Sequence, residues 1–225
     1  MWIITRAALV LVAVVGITAC GDDNGGSSGS PSSPSTPSTP TNRAPVISSI
    51  TISPSWGVSQ LTTFNYSASA SDADNDALTY QWDLSGSART GSSGSIVFTG
   101  AGTGTIKLTV TDGKGGSVTD SRTITIGSMT GQWVGTGVDL GVFTMQLNQS
   151  LGVVTGTYND LTGPGGTPSD LPGSINSSGV LVLRIKQAPY RDWTFNGQMD
   201  QSGRRITGTM QGSGFNGQAF IMDKQ

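Results

Sequence analysis

The sequence predicts an all-β protein, in which a β-sandwich is followed by a small antiparallel β-barrel of about eight strands. Three observations lead to this prediction. From residue 44 onwards, short stretches of alternating apolar and polar residues recur, and turn-forming residues separate them. Glycine accounts for 33 of the 225 residues, about twice its usual share. Strong helix formers are scarce, whereas Ser, Thr, Val and Ile are common.

The charged and reactive residues of the chain argue against several classes of function. The chain has a formal net charge of −2 and no His, which excludes a histidine general base and a His-ligated metal site. The lack of a basic excess predicts no nucleic-acid partner. All 14 acidic residues are Asp, and their spacing singles out no catalytic pair. We therefore predict no catalytic residues and a protein that is not an enzyme.

The N-terminus has the features of a signal peptide, which we place at residues 1–19. Arg6 precedes an apolar run over residues 7–18, which is shorter than the roughly 20 residues that a spanning helix needs. Ile17-Thr18-Ala19-Cys20 resembles the lipobox of bacterial lipoproteins. The resemblance implies that the Cys20 thiol carries diacylglycerol, that the chain is cleaved before Cys20, and that the new amine is acylated with a fatty acid such as palmitate. Two or three acyl chains make a stable membrane anchor.

The residue after the lipobox bears on the destination of the protein. In enterobacteria, Asp directly after the lipidated cysteine retains a lipoprotein in the inner membrane, but Gly21 stands there in this chain. The resemblance therefore favours the outer membrane of the cell envelope. Residues 20–43 continue as a Gly/Ser-rich and then Pro/Ser/Thr-rich segment that has no apolar face. It is predicted to be a disordered tether that reaches roughly 70 Å when extended.

The first folded module is predicted at residues 44–127. Six or seven short strand candidates in about 80 residues indicate a β-sandwich. Asn42 to Ile47 is similar to the opening of PKD and related immunoglobulin-like repeats. The acidic stretch 71–77 with the following Leu78-x-Tyr80-x-Trp82 resembles their central signature, and residues 108–116 resemble their late strand and hairpin. The resemblance implies an immunoglobulin-like sandwich. Leu84 to Ser87 depart from the usual Gly-Asp-Gly turn, so a neighbouring immunoglobulin-like or cadherin-like group is the alternative.

The strand that contains the Leu-x-Tyr-x-Trp motif also predicts part of the core. Leu78, Tyr80 and Trp82 share one face of a strand with a period of two, and Trp82 is the expected core aromatic residue.

The acidic stretch supports two interpretations. Asp72, Asp74 and Asp76 repel one another, and a bound Ca²⁺ would relieve that repulsion, with Asp112 as a further ligand. The sequence disfavours an EF-hand, because Ala77 replaces the required Gly and a strand rather than a helix follows. The alternative is a solvated turn in which Asp and Asn are ordinary turn residues. Apart from this calcium ion, no cofactor is predicted.

The second module is predicted at residues 128–225. About eight short strands alternate with tight turns, and an apolar–polar–Gly–polar–apolar phrase recurs around Gly156, Gly197 and Gly208. Glycine within a strand marks a bend or a close backbone approach, and repeated kinks help a sheet to close. The repeated pattern therefore predicts an up-and-down barrel. It resembles lipocalin-like and avidin-like barrels in outline, but no motif assigns it to either group.

Tyr190 and Trp193 flank a predicted turn, so we expect them to be exposed and to contribute to ligand binding. Two functions remain open. One is a non-catalytic binding lipoprotein that holds a small apolar ligand, a glycan or an envelope protein. The other is a structural or adhesive lipoprotein with no small-molecule site. An Asp-dependent hydrolase is a remote third alternative. A ligand cavity inside the barrel would distinguish the first two, because eight strands leave room only for side chains or one small ligand.

Overall fold

A computed structural model describes residues 41–161, 169–187, 191–212 and 214–225. Within these ranges every regular element is a β-strand, as predicted. Residues Thr41–Gln225 form one compact unit. The predicted signal peptide, Cys20 and the tether up to residue 40 lie outside the described residues. The described part of the chain includes no helix with the length and hydrophobicity needed to cross a bilayer.

The first module is a β-sandwich of two sheets. One sheet has the order β1-β3-β6, and the other has the order β2-β8-β7-β4-β5. Neighbouring strands are antiparallel except β2, which runs parallel to β8. The eight strands are β1 (Val46–Ser53), β2 (Trp56–Val58), β3 (Thr63–Ser71), β4 (Thr79–Leu84), β5 (Ser87–Thr90), β6 (Ser93–Val97), β7 (Gly102–Thr111) and β8 (Ser117–Gly127).

The sandwich core follows from the alternation of its strands. On β7 the side chains of Ile106, Leu108 and Val110 point inward and are buried, whereas the residues between them face outward. Trp82 packs against Tyr66, with ring centroids 4.8 Å apart. The Trp82 indole N–H donates a hydrogen bond to the Gly91 carbonyl at 2.9 Å. The prediction that Trp82 is the central core aromatic is therefore confirmed.

The second module is a closed antiparallel barrel, also as predicted. Each of its eight principal strands pairs with the next along the chain, and β17 pairs with β9 to close the circle. A short additional strand, β12, pairs with β11 alone. The strands are β9 (Gly131–Gly137), β10 (Gly141–Ser150), β11 (Val153–Asp160), β12 (Ser169–Asp170), β13 (Gly173–Ile175), β14 (Val180–Gln187), β15 (Arg191–Met199), β16 (Arg205–Gly212) and β17 (Phe215–Lys224).

Two of the repeated glycines lie where neighbouring strands approach closely. A Cβ atom at Gly208 would collide with the backbone of Asn196 and Gly197, and one at Gly156 would collide with the Gln146 carbonyl. The predicted close backbone approach is therefore confirmed at these positions. Any side chain there would push adjacent strands apart.

The sandwich contributes a segment to one end of the barrel core. Val58, on β2, is 1% exposed and belongs to the barrel's hydrophobic cluster, and Trp56 and Leu61 pack against the same cluster. The Thr62 hydroxyl donates a hydrogen bond to the Ser177 carbonyl at 2.8 Å. Residues 56–62 thus close this end of the barrel, and we call them the plug.

Candidate functional site

The interior of the barrel is filled by side chains of its own strands and, at one end, by those of the plug. Four aromatic residues, Trp133, Phe143, Phe195 and Phe220, are fully buried there. The Phe195 ring lies 4.7 Å from that of Phe220 and 5.5 Å from that of Phe143. The strands between them supply Leu, Ile and Met side chains to the same cluster. Among the described residues, the barrel centre is therefore a packed core rather than a ligand cavity.

Trp193 is buried, contrary to the expectation that it is exposed. Its side chain is 6% exposed and packs against the rings of Phe215 at 4.9 Å and Tyr158 at 5.9 Å. The physical reason is strand alternation, because Trp193 lies two residues before the buried Phe195 and so shares its inward face. The Trp193 indole N–H has no hydrogen-bond partner among the described residues. Tyr190 lies outside the described residues, and the predicted role of both residues in binding stays a prediction.

A polar groove runs along the outside of the barrel across β14, β15 and β16. It has a volume of about 660 Å³. The pairing of β14 with β15 places Arg184 opposite Thr194 and Lys186 opposite Asp192. Asn196 and Gln211 extend the lining towards β16. We call this feature the outer groove.

The outer groove combines guanidinium, ammonium, carboxylate, hydroxyl and amide groups. Such a set both donates and accepts hydrogen bonds. Of the residues that line the outer groove, sequence reasoning singled out Trp193 and overlooked the polar ones, although one signal was available. They occupy the outward positions of strands whose inward positions are apolar, and both signs of charge fall on neighbouring strands.

The acidic stretch forms a hydrogen-bonded turn at one end of the sandwich. One Asp72 oxygen, Oδ1, accepts hydrogen bonds from the backbone N–H groups of Asp74 at 2.8 Å and Asp76 at 3.3 Å. The other oxygen, Oδ2, is buried and has no hydrogen-bond partner among the described residues. The Asp74 carboxylate accepts hydrogen bonds from the Arg43 guanidinium, the shorter at 2.6 Å. These hydrogen bonds hold the pKa of Asp74 below its ordinary value.

Asp112 anchors the neighbouring hairpin. Its side chain is 3% exposed and accepts hydrogen bonds from Asn42 Nδ2 at 2.8 Å, from the Lys114 N–H at 2.7 Å and from the Gly116 N–H at 2.9 Å. The hydrogen bond from Asn42 is the main cause of the lowered pKa of Asp112, and those from Lys114 and Gly116 add to it. Asn42 and Arg43, assigned to the tether in the sequence analysis, therefore contact both acidic segments.

These contacts bear on the predicted calcium site. The donors are oxygen atoms, as Ca²⁺ prefers, and Asp72 Oδ2 is available. However, Arg43 already neutralises Asp74, and backbone and amide donors surround Asp112. The described residues contain no group of three or more acidic or Cys side chains arranged to hold a metal ion. Calcium binding by Asp72, Asp74, Asp76 and Asp112 stays a prediction, which a calcium titration of the thermal unfolding midpoint would decide.

Comparisons with known proteins support the assignment of the first module. Residues 42–126 match the model of the PKD domain family. One similar solved structure is described as "Structural basis for the promiscuous specificity of the carbohydrate-binding modules from the beta-sandwich super family". Its sequence identity is 19% and its TM-score is 0.37, over 83% of this chain and 93% of that chain. A TM-score below 0.5 does not establish a shared fold, so nothing is inferred from this similarity. No curated protein matches the chain.

Proposed function

We propose that this protein is a lipid-anchored, non-catalytic protein of the bacterial cell envelope that binds glycans through the outer groove of its barrel. The observation that supports this proposal most directly is the packed barrel interior, which moves any binding site to an outer surface. The sandwich acts as a rigid support, and the tether holds both modules away from the lipid. PKD-like domains are typical of binding and adhesive modules rather than of catalytic ones.

The chemistry of the outer groove suits a sugar better than an apolar ligand. Sugar hydroxyls donate and accept hydrogen bonds at once, so they pair well with amide, guanidinium and carboxylate groups. Arg184, Asn196 and Gln211 offer planar groups of this kind on adjacent strands. Rigid strands also keep these groups at fixed spacings, which reduces the entropy lost on binding.

The proposed glycan site can be tested by removing the amide side chains of the outer groove. Replacing both Asn196 and Gln211 with Ala is expected to weaken oligosaccharide binding about tenfold or more, because each lost hydrogen bond contributes about 0.5–1.5 kcal/mol. Isothermal titration calorimetry of residues 21–225 with a panel of neutral and acidic oligosaccharides measures this. The matched control replaces Asn65 and Gln81, exposed amides on the sandwich, and should leave the affinity unchanged. Binding that survives the Asn196/Gln211 substitutions would place the glycan elsewhere and refute the groove.

The second candidate function is a structural or adhesive envelope protein with no small-molecule site. The same packed interior favours it, and so do exposed apolar side chains on the outer surface, such as Val138 and Val142 on or beside β10. An envelope protein would then be the partner. If none of the oligosaccharides binds, this second function replaces the first.

The lipid anchor is tested separately. Replacing Cys20 with Ser removes the thiol that would carry diacylglycerol, so the protein is expected to leave the membrane fraction almost completely. Fractionation of cells expressing the wild type and the variant, followed by immunoblotting, measures this distribution, and separation of inner from outer membranes tests the predicted destination. Replacing Ser27 with Ala in the predicted tether is the control and should change nothing. A Cys20→Ser protein that remains in the membrane fraction as fully as the wild type would overturn the lipoprotein assignment.

A further inference from the structure

We propose that a cleft at the junction of the sandwich and the barrel binds a small oxyanion, such as a carboxylate, a sulfate or a phosphate group. The cleft is separate from the outer groove, so the proposal is independent of glycan binding there. We call it the junction cleft.

The junction cleft is lined by both modules. Thr103 and Thr125 line it from paired positions on β7 and β8 of the sandwich. Ser202, Arg204 and Lys224 line it from the barrel. Its volume is about 270 Å³, which suits a small ligand rather than an oligosaccharide. Junctions between modules are common places for ligand sites, because both sides contribute polar groups to one concave surface.

Two positive charges face each other across neighbouring strands in this cleft. The backbone N–H of Lys224, the last residue of β17, donates a hydrogen bond at 2.8 Å to the carbonyl of Arg204, the residue directly before β16, so the two residues lie across from each other. Like charges in such cross-strand positions repel. The adjacent cross-strand pair is different, since Arg205 forms an ion pair with Asp223 at 2.7 Å.

The repulsion between Arg204 and Lys224 has no acidic counterpart in the cleft. None of the residues that line it is Asp. The ion pairs found among the described residues join Arg43 to Asp74, Arg122 to Asp120 and Arg205 to Asp223, and they leave out both cations of the cleft. Burial lowers the pKa of Lys224, and the charge of Arg204 lowers it further. An anion bound between the two cations would oppose these effects.

Both cations are held in position before any ligand arrives. The Lys224 ammonium donates a hydrogen bond to the Ser128 carbonyl at 2.8 Å and lies 5.8 Å from the centre of the Trp133 ring. The Arg204 guanidinium donates a hydrogen bond through Nη2 to the Lys224 carbonyl at 3.0 Å. An ammonium has three N–H donors and a guanidinium five, so each cation retains donors for a ligand. Charge-assisted hydrogen bonds from such groups to an oxyanion are the strong ones.

The test measures the binding of defined anions to residues 21–225. Inorganic phosphate, sodium sulfate and sodium acetate are titrated in separate experiments at low ionic strength, followed by two-dimensional NMR and by the thermal unfolding midpoint. We expect saturable shifts of the amide signals around residues 126–128 and 202–204, and a midpoint that rises with anion concentration. A preference for acetate over phosphate and sulfate would identify a carboxylate as the ligand group, and the reverse would identify a tetrahedral oxyanion. Sodium chloride at matched ionic strength corrects for general salt effects.

Substitutions that remove one charge assign the effect to the cleft. Arg204→Gln and Lys224→Gln are each expected to weaken anion binding about tenfold or more. Lys224→Gln also loses the hydrogen bond to Ser128 and the contact with Trp133, so the anion-free midpoint is compared for Arg204→Gln. Because that variant removes the repulsion and loses only an exposed hydrogen bond, we expect its anion-free midpoint to stay level or rise, a result that a merely structural role would not produce. Lys107→Gln, an equal change of charge on the sandwich, is the control and should bind as the wild type does. Absence of saturable binding by all three anions, or binding that Arg204→Gln leaves unchanged, would overturn the proposal.

Discussion

Replacing Phe195 with Ala is expected to lower the free energy of unfolding by about 3–5 kcal/mol, the usual range for a buried Phe. The side chain is fully buried at the centre of the barrel, where it contacts the rings of Phe143 and Phe220. The substitution removes these contacts and leaves a cavity. A closed barrel collapses poorly around a cavity, because every strand is already hydrogen-bonded on both sides. Urea unfolding of residues 21–225, followed by tryptophan fluorescence, measures the loss.

The control for this prediction is Val180→Ala, on the neighbouring strand β14 of the same barrel. Val180 is 44% exposed, so its substitution should change the free energy of unfolding by no more than about 0.5 kcal/mol. A loss below about 1 kcal/mol for Phe195→Ala would mean that the interior is loosely packed. A small apolar ligand inside the barrel, one of the three ligand classes predicted from the sequence, would then replace the glycan as the leading hypothesis.

Much of the fold was predictable because both modules obey local rules. Alternation with a period of two identifies most strands, and the inward positions it predicts, such as Trp82 on β4, are buried. The repeated Gly-centred phrase pointed to close backbone approaches, which Gly156 and Gly208 confirm. The same rule would have placed Trp193 inside the barrel. The expectation of exposure relied on a nearby turn, and the alternation through Phe195 outweighs it.

The features that could not be predicted from the sequence depend on contacts between distant parts of the chain. Strand β2 spans three residues and pairs in parallel with β8, far along the sequence. Nothing local to Trp56-Gly57-Val58 indicates that Val58 completes a core built by residues beyond 128. The outer groove and the junction cleft have the same origin. Their residues are ordinary polar positions in the sequence, and only the pairing of strands and the docking of the two modules bring them together.

One buried amide adds hydrogen bonds to the contacts between the two modules. Gln149 lies at an inward position near the end of β10 and is 5% exposed. Its Oε1 accepts a hydrogen bond from the Met129 N–H at 2.9 Å, and its Nε2 donates to the Ser59 carbonyl in the plug at 3.0 Å and to the Leu151 carbonyl at 3.1 Å. This one side chain therefore forms hydrogen bonds with backbone groups of three segments, which are the plug of the sandwich, the connection between the modules, and the barrel.

Replacing Gln149 with Ala or Leu is expected to lower the free energy of unfolding by about 2–4 kcal/mol. Either change leaves buried backbone groups unpaired, each at a cost of about 1–3 kcal/mol. Leu restores most of the lost volume but none of the hydrogen bonds, so the comparison separates packing from polar pairing. Urea unfolding of residues 21–225 measures both variants, and Asn148→Ala, an exposed neighbour, is the control.

The contacts of the plug also predict the number of transitions in the unfolding curve. Because Val58 lies in the barrel core and Ser59 binds Gln149, the two modules should unfold in one transition in the wild type. Loss of the Gln149 amide weakens their coupling, so a second transition should emerge in both variants as the barrel opens before the sandwich. If Gln149→Leu matches the wild type in stability and keeps a single transition, the amide does not couple the modules, and the other contacts of the plug, which include the hydrogen bond from Thr62 to Ser177 and the packing of Val58, hold them together.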